Sequence, residues 1–259
     1  MTTRRNASPD DPAAWVFNRL AADYGRRPGY PEALARRLLA IAGGAGARVA
    51  DLGAGTGALA LPLARLGARV HAVEPARAML EALAAEAPPG VVPVHAAAEE
   101  TGLAAGAFDL VLLADALQWV DADRTGREAG RLLAPGGALA VVEPRLADTP
   151  FLAALAERIA RANPKARPAP PPVDLLFSVA LGRPPAVEVF EDEVLLDEDR
   201  FRAVLRSLSY VGPALGPSAL EALLDDAVAL AREHGGPRWR REVRLSWVRA
   251  SGGARKRVE

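Results

Sequence analysis

Asp51, Gly53, Gly55 and Gly57 fall at alternate positions of Asp51-Leu52-Gly53-Ala54-Gly55-Thr56-Gly57-Ala58, directly after an apolar run that opens at Val49. An apolar strand that ends in an acid and three glycines, followed by Ala58-Leu59-Ala60-Leu61, predicts a strand-to-helix corner. Glycine there lets the backbone turn tightly and lets a ligand come close where a Cβ would block it. The helix that follows aims its free N–H groups and positive dipole end at the same place. Gly53-x-Gly55-x-x-Ala58 also fits the dinucleotide fingerprint G-x-G-x-x-G/A. Asp51 weighs against that ligand, because a carboxylate repels a pyrophosphate and attracts a cation. Glu74 stands 23 residues beyond Asp51 and ends the next apolar run, Arg69–Glu74. Open α/β sheets bind ligands at such strand ends, and a carboxylate there can accept both hydroxyls of a ribose.

With the acid two residues before the first glycine, Asp51-Leu52-Gly53-x-Gly55-x-Gly57 resembles motif I of the class I S-adenosylmethionine-dependent methyltransferases. Glu74-Pro75 with Met79 (E-P-x-x-x-M), Ala98-Glu99, Gln118-Trp119 and Leu133-x-Pro135-Gly136-Gly137 carry the same likeness. Upstream, Ala21-x-x-Tyr24-x-x-Arg27-Pro28-x-Tyr30-Pro31 closely resembles the N-terminus of the trans-aconitate-methyltransferase-like, type 11 subfamily. The likeness covers residues 13–145 by motif. It implies S-adenosylmethionine as cofactor, with Asp51 facing the methionine portion and Gly53, Ala54, Gly55 and Gly57 shaping the pocket. It further implies that Glu74 holds the ribose, Pro75 opens the next helix, Met79 packs on the adenine, and Ala98 and Glu99 border it. Asp115 completes this cofactor set from the end of the central strand.

Within the resemblance, Tyr24 and Arg27 close over the methionine end or reach the acceptor. Gln118, Trp119 and Arg145 would line the rest of the acceptor mouth. Family members usually show His-Trp where this chain has Gln118-Trp119, so no basic group is expected there. Asp115 and Glu143 are the only acids nearby, and no catalytic side chain is assigned. Methyl transfer by in-line displacement needs mainly positioning and desolvation of acceptor against donor. Arginines and a tyrosine suit a small acidic metabolite methylated on oxygen, with Arg27 as a bidentate clamp. The alternatives are a nicotinamide-dependent dehydrogenase on the same sheet, or an idle cofactor-binding module. A dehydrogenase would need a proton donor, and His71, His95 and His234 do not sit at the expected strand ends.

The elements that must position these residues follow from periodicity. Helices are expected over 13–24 and 32–42, the second ending at Gly43-Gly44. Strands and helices then alternate from 48 to 143, with strands at 69–74, 91–97, 108–115 and 138–143. This predicts a Rossmann-like, doubly wound, mostly parallel sheet. A helix at 149–163 and the proline-rich run 164–172 form an insertion after the fifth strand. Helices at 200–210 and 219–233 and strands at 187–196 and 242–249 would complete the sheet as an antiparallel C-terminal edge. The acids of Glu188–Val194 should lie beside the arginines of the last strand, Arg244 and Arg249, flanked by Arg240 and Arg241. The expected division is a helical cap at 1–45, a cofactor-binding core at 46–145, a lid-like insertion at 146–185 and a C-terminal completion at 186–259.

Half of the 259 residues are hydrophobic, a quarter are charged, and the formal net charge is zero. That balance gives no reason to expect a nucleic-acid partner. No cysteine is present, which excludes disulfides and thiolate chemistry. No signal-peptide pattern or membrane-length apolar run is visible, so a cytoplasmic enzyme with a small-molecule partner is expected. Scarce Asn and Gln fit heat adaptation, although a GC-rich codon bias accounts for the Arg-over-Lys preference equally well.

Overall fold

Apolar strands short enough to be buried on both faces, each followed by a helix, give this chain its central layer. The computed structural model describes residues 16–164 and 171–251. Helices α1 (Val16–Tyr24) and α2 (Glu32–Ala42) precede β1 (Arg48–Leu52), α3 (Ala60–Arg65), β2 (Arg69–Val73), α4 (Arg77–Glu86) and β3 (Val91–Val94). Next come β4 (Phe108–Ala114), a 3-10 turn at Leu117–Trp119, α5 (Ala122–Leu132) and β5 (Leu133–Leu146). The remainder is α6 (Pro150–Ala162), α7 (Val173–Leu181), β6 (Ala186–Leu195), α8 (Glu198–Ser207), α9 (Pro217–Glu233) and β7 (Arg238–Arg249). The expected N-terminal arm and basic tail lie outside the described residues, as does most of the proline-rich run.

The strands form one sheet in the order β3-β2-β1-β4-β5-β7-β6. All neighbours from β3 to β5 are parallel, and β7 runs antiparallel to both β5 and β6. This is the Rossmann-like α/β arrangement with the antiparallel edge that the pattern predicts. Chain order reverses between β1 and β4, the switch point where such sheets bind ligands.

Two helical layers cover the sheet. On one face α2 and α3 pack Leu34, Leu38, Ile41 and Leu63 onto Val49, Leu110 and Leu112. On the other, α5 and α7 pack Leu132, Leu176 and Phe177 onto Ala50, Val111 and Val141. The α7 helix was not among the expected elements. It approaches α5 closely because Gly126 and Gly130 leave room: a Cβ on Gly126 would stand 3.0 Å from Val179, and one on Gly130 2.9 Å from the Ala180 carbonyl. A third apolar cluster joins α6, α8 and α9 through Phe151, Leu155, Phe201 and Leu224 to Trp239 of β7.

β6 and β7 pair as the charges predict, with Asp192 opposite Arg241 and Glu193 opposite Arg240. The ion pairs are Arg240–Glu191 at 3.2 Å, Arg238–Glu193 at 3.3 Å, and Arg241–Asp192. Two of the expected arginines do not take part. Arg244 faces Val189, and Arg249 donates instead to the Ile41 and Gly136 carbonyls. No helix among the described residues is long and apolar enough to cross a membrane.

Candidate functional site

The corner after β1 is built from backbone that only glycine adopts readily. Gly53, Gly55 and Gly57 have φ of +76°, +56° and +89°. A Cβ on Gly53 would stand 2.8 Å from the Ala116 Cβ, and one on Gly57 2.7 Å from Leu61. At Gly55 there is room, and what faces it is the Tyr24 ring and the Met79 sulfur, at 3.7 and 3.8 Å from a Cβ position.

Two buried carboxylates flank this corner. Glu74 accepts the Gly55 N–H at 2.9 Å on one oxygen and the Ala76 N–H at 2.8 Å on the other. A carboxylate has about four lone-pair sites, so both oxygens retain capacity for ligand hydroxyls. Burial raises the Glu74 pKa, and the two N–H donors oppose that rise. Asp51 is 1% exposed, and its Oδ1 has no hydrogen-bond partner. Burial, then the charge of Glu74, push the Asp51 pKa up to about 7, against a hydrogen bond from the Ala60 backbone.

A cavity of about 770 Å³ opens above the C-terminal ends of β1, β4 and β5, within the usual range for small-ligand sites. The glycine corner forms one wall, the segments 114–119 and 141–146 another, and the 24–30 loop with Tyr210, Trp239 and Arg241 the rest. Asp115 sits at the end of β4 with φ +50°, the one positive value outside glycine among the described residues. Gln118 donates to its carboxylate at 3.1 Å, and Arg27 approaches at 3.4 Å. Burial raises the Asp115 pKa although Arg27 and Gln118 pull it down.

Tyr24, Arg27, Gln118, Trp119 and Arg145 all border this cavity. Trp119 stacks edge-on against Phe17 of α1 with ring centroids 5.0 Å apart, and the two rings roof the corner. Arg145 is half in solvent, 3.8 Å from Glu143.

Arg27 is held by the protein on several sides. Its Nε donates to Ser207 Oγ at 2.7 Å, one terminal nitrogen donates to the Ser207 carbonyl at 2.8 Å, and its plane covers the Tyr24 ring at 3.9 Å. With a second nitrogen 3.4 Å from Asp115, it braces the loop against α8.

The adenine-side set lies behind the cavity wall. Met79 is buried with Leu20 and Ala76 beneath α1, next to Pro75. Ala98 belongs to the α5-side core, and Glu99 accepts the Asp121 N–H at 2.9 Å.

Sequence reasoning missed the site roles of Tyr30, Ser207, Tyr210, Trp239 and Arg241. Arg200 donates to the Arg26 carbonyl at 2.9 Å, and Arg241 to those of Pro28 and Gly29 at 3.2 and 2.6 Å. Only Tyr30 had a signal, within the Tyr-x-x-Arg-Pro-x-Tyr-Pro phrase. The others come from distant segments with no local motif.

The profile of a methyltransferase domain matches residues 50–141, from inside β1 to inside β5. The matched stretch holds the glycine corner, Glu74 and Asp115, while the loop, α8 and β7 that close the cavity lie outside it. An uncharacterized methyltransferase of Mycobacterium tuberculosis is 44% identical over 116 residues, 45% of this chain and 46% of that protein. A malonyl-[acyl-carrier protein] O-methyltransferase of Geobacter sulfurreducens is 35% identical over 142 residues, 48% of this chain and 50% of that one. The chain thus spans about half the length of the curated relatives it matches. A solved structure from Anaeromyxobacter dehalogenans, described as a "putative type II methyltransferase", aligns with a TM-score of 0.61 at 28% identity, over 88% of this chain and 99% of that one.

Proposed function

We propose that this protein is an S-adenosylmethionine-dependent methyltransferase acting on a small molecule. The observation that carries the reading is the orphaned Oδ1 of Asp51, buried at the mouth of a glycine corner. An unpaired buried carboxylate is costly and is relieved by a cation. The methionine end of the donor offers an ammonium at that place. When bound, the donor supplies an activated methyl group. Asp51 would hold the ammonium and Glu74 the ribose. Met79 from beneath α1, and Ala98 and Glu99 from the α5 side, would border the adenine. Phe17, Tyr24 and Trp119 would keep water from the reacting centre.

A nicotinamide dinucleotide fits less well, since its pyrophosphate would meet Asp51 and Glu74 together. His71 packs against Phe108, His95 reaches the Pro75 carbonyl, and His234 lies beside Phe151, all away from the cavity wall. Calorimetric titration with S-adenosylmethionine, S-adenosylhomocysteine and NAD tests the reading. Binding of the two sulfur ligands without NAD is expected, and tight NAD binding would overturn it.

A further inference from the structure

Tyr24 and Tyr30 in the N-terminal loop region and Tyr210 after α8 border one cavity. Burial raises the pKa of each, so all three are neutral donors. Asp115 is close enough for its charge to be felt at all three rings. On the neighbouring strand Glu143 is 8% exposed, and Arg145, 3.8 Å from it, is a largely solvated cation. Of the arginines that line the cavity, Arg65 is exposed, Arg27 is taken by Ser207 and Asp115, and Arg241 by Asp192 and two loop carbonyls.

An acceptor carboxylate placed here would face Asp115 and Glu143, with no uncommitted buried guanidinium among the described residues that line the cavity. An O–H group instead finds a carboxylate that can accept its proton. Further oxygens of the acceptor would find phenols that donate, and its apolar body would find Val204, Leu208 and Trp239. Resting on the methyltransferase reading, we propose that the acceptor is an uncharged hydroxylated molecule with an apolar body, and that Asp115 is the base for its reacting hydroxyl. The acceptor oxygen gains the new C–O bond, the donor's C–S bond breaks with its electron pair left on sulfur, and the hydroxyl proton passes to the Asp115 carboxylate. The left-handed backbone at Asp115 fits this role. It is a strained conformation that Asp and Asn bear better than other side chains, and it is retained at a ligand edge.

The test uses the intact protein and a panel of phenols and aliphatic alcohols beside their carboxylic-acid counterparts. Transfer to members of the hydroxyl series, in preference to the acids, is expected. Asp115→Asn keeps the left-handed backbone and an acceptor for Gln118. It should lower kcat by about 10²–10⁴-fold and abolish the acid limb of the kcat–pH profile, a loss far larger than any fall in S-adenosylhomocysteine affinity read calorimetrically. Arg27, Arg241 and the three tyrosines face the same carboxylate and remain in place in that variant. Tyr30→Phe should raise acceptor KM and leave kcat. The proposal falls if Asp115→Asn retains wild-type kcat and its acid limb, if the acids are methylated in preference, or if the donor binds and no hydroxyl is methylated. Failure to bind the donor at all removes the proposed function itself, and this inference with it.

Discussion

Glu74 reaches Gly55 across 19 residues of chain and Ala76 across two. Across the cavity from Gly55, around the 24–30 loop, Arg27 reaches Ser207 across 180 residues, Arg200 reaches Arg26 across 174, and Arg241 reaches Pro28 across 213. The glycine corner is therefore assembled by a strand, its turn and the next strand, within one supersecondary unit. The opposite wall is assembled only when the C-terminal helices and β7 come back to the N-terminal loop. Local assembly makes the first wall legible as a motif and insensitive to the rest of the chain. Assembly at a distance makes the second wall free to vary, with arginine–carbonyl grips in place of a sequence signature.

The strongest test of that contrast is Glu74→Ala. On the proposed role it removes two charge-assisted bonds to the ribose, each about 1.5–3 kcal/mol, so donor affinity should fall by about two to four decades at roughly 1.4 kcal/mol per decade. It also strands the buried Gly55 and Ala76 N–H groups, at about 1–3 kcal/mol each, so the melting temperature should drop as well. Unchanged donor affinity would remove Glu74 from the site.

Next in size is Arg27→Met. Losing two bonds to Ser207 and the partner of Asp115 should cost about 2 kcal/mol, seen as a fall in Tm of roughly 4–8 °C. Donor affinity should suffer far less than in Glu74→Ala. If Arg27→Met weakens the donor as strongly and leaves Tm unmoved, the two walls are not held in different ways.

The smallest effect is a pH dependence that belongs to the glycine corner alone. The Asp51 pKa stands at about 7 without ligand, and a facing cation favours the ionised form, so its pKa in the complex must be lower. Donor affinity should be level above pH 7 and weaken below it, by up to about tenfold per pH unit, with proton release on binding. The same shift has an opposite sense for the fold: the native state holds this proton where the unfolded chain has lost it, so the Asp51 contribution to stability declines as pH rises from about 4 to 7. Calorimetry in buffers of different ionisation enthalpy reads the proton. Affinity independent of pH between 8 and 5.5 would show that Asp51 does not face the cation.

What the sequence disclosed tracks this division. Pro31 and Gly43-Gly44 bracket α2 at the residues observed, because a proline stop and a left-handed glycine cap are local devices. The corner, Glu74 and the parallel order of β1 to β5 likewise follow from spacing. Antiparallel pairing of β6 with β7 was legible from opposite charges, although which arginines bridge was not, since strand register decides that. The α7 helix was obscured by the prolines before it. Its one distant sign was the Gly126–Gly130 spacing on α5, which marks a helix that admits a close neighbour. Arg27 was read by its type, and only its distance to Ser207 reveals that it braces.

The pairing of β5 with β7 bears on how the protein can be cut. Ala138 to Leu146 bond along their whole length to Arg249 to Arg241, and Val243 and Leu245 lie wholly buried beside them. A fragment ended after Leu146 would keep every signature by which the chain is recognised. It would also present a long, apolar, unpaired strand edge of the kind that aggregates, and release the loop that Arg200 and Arg241 grip. The stretch that carries the signatures is therefore shorter than the piece expected to fold on its own.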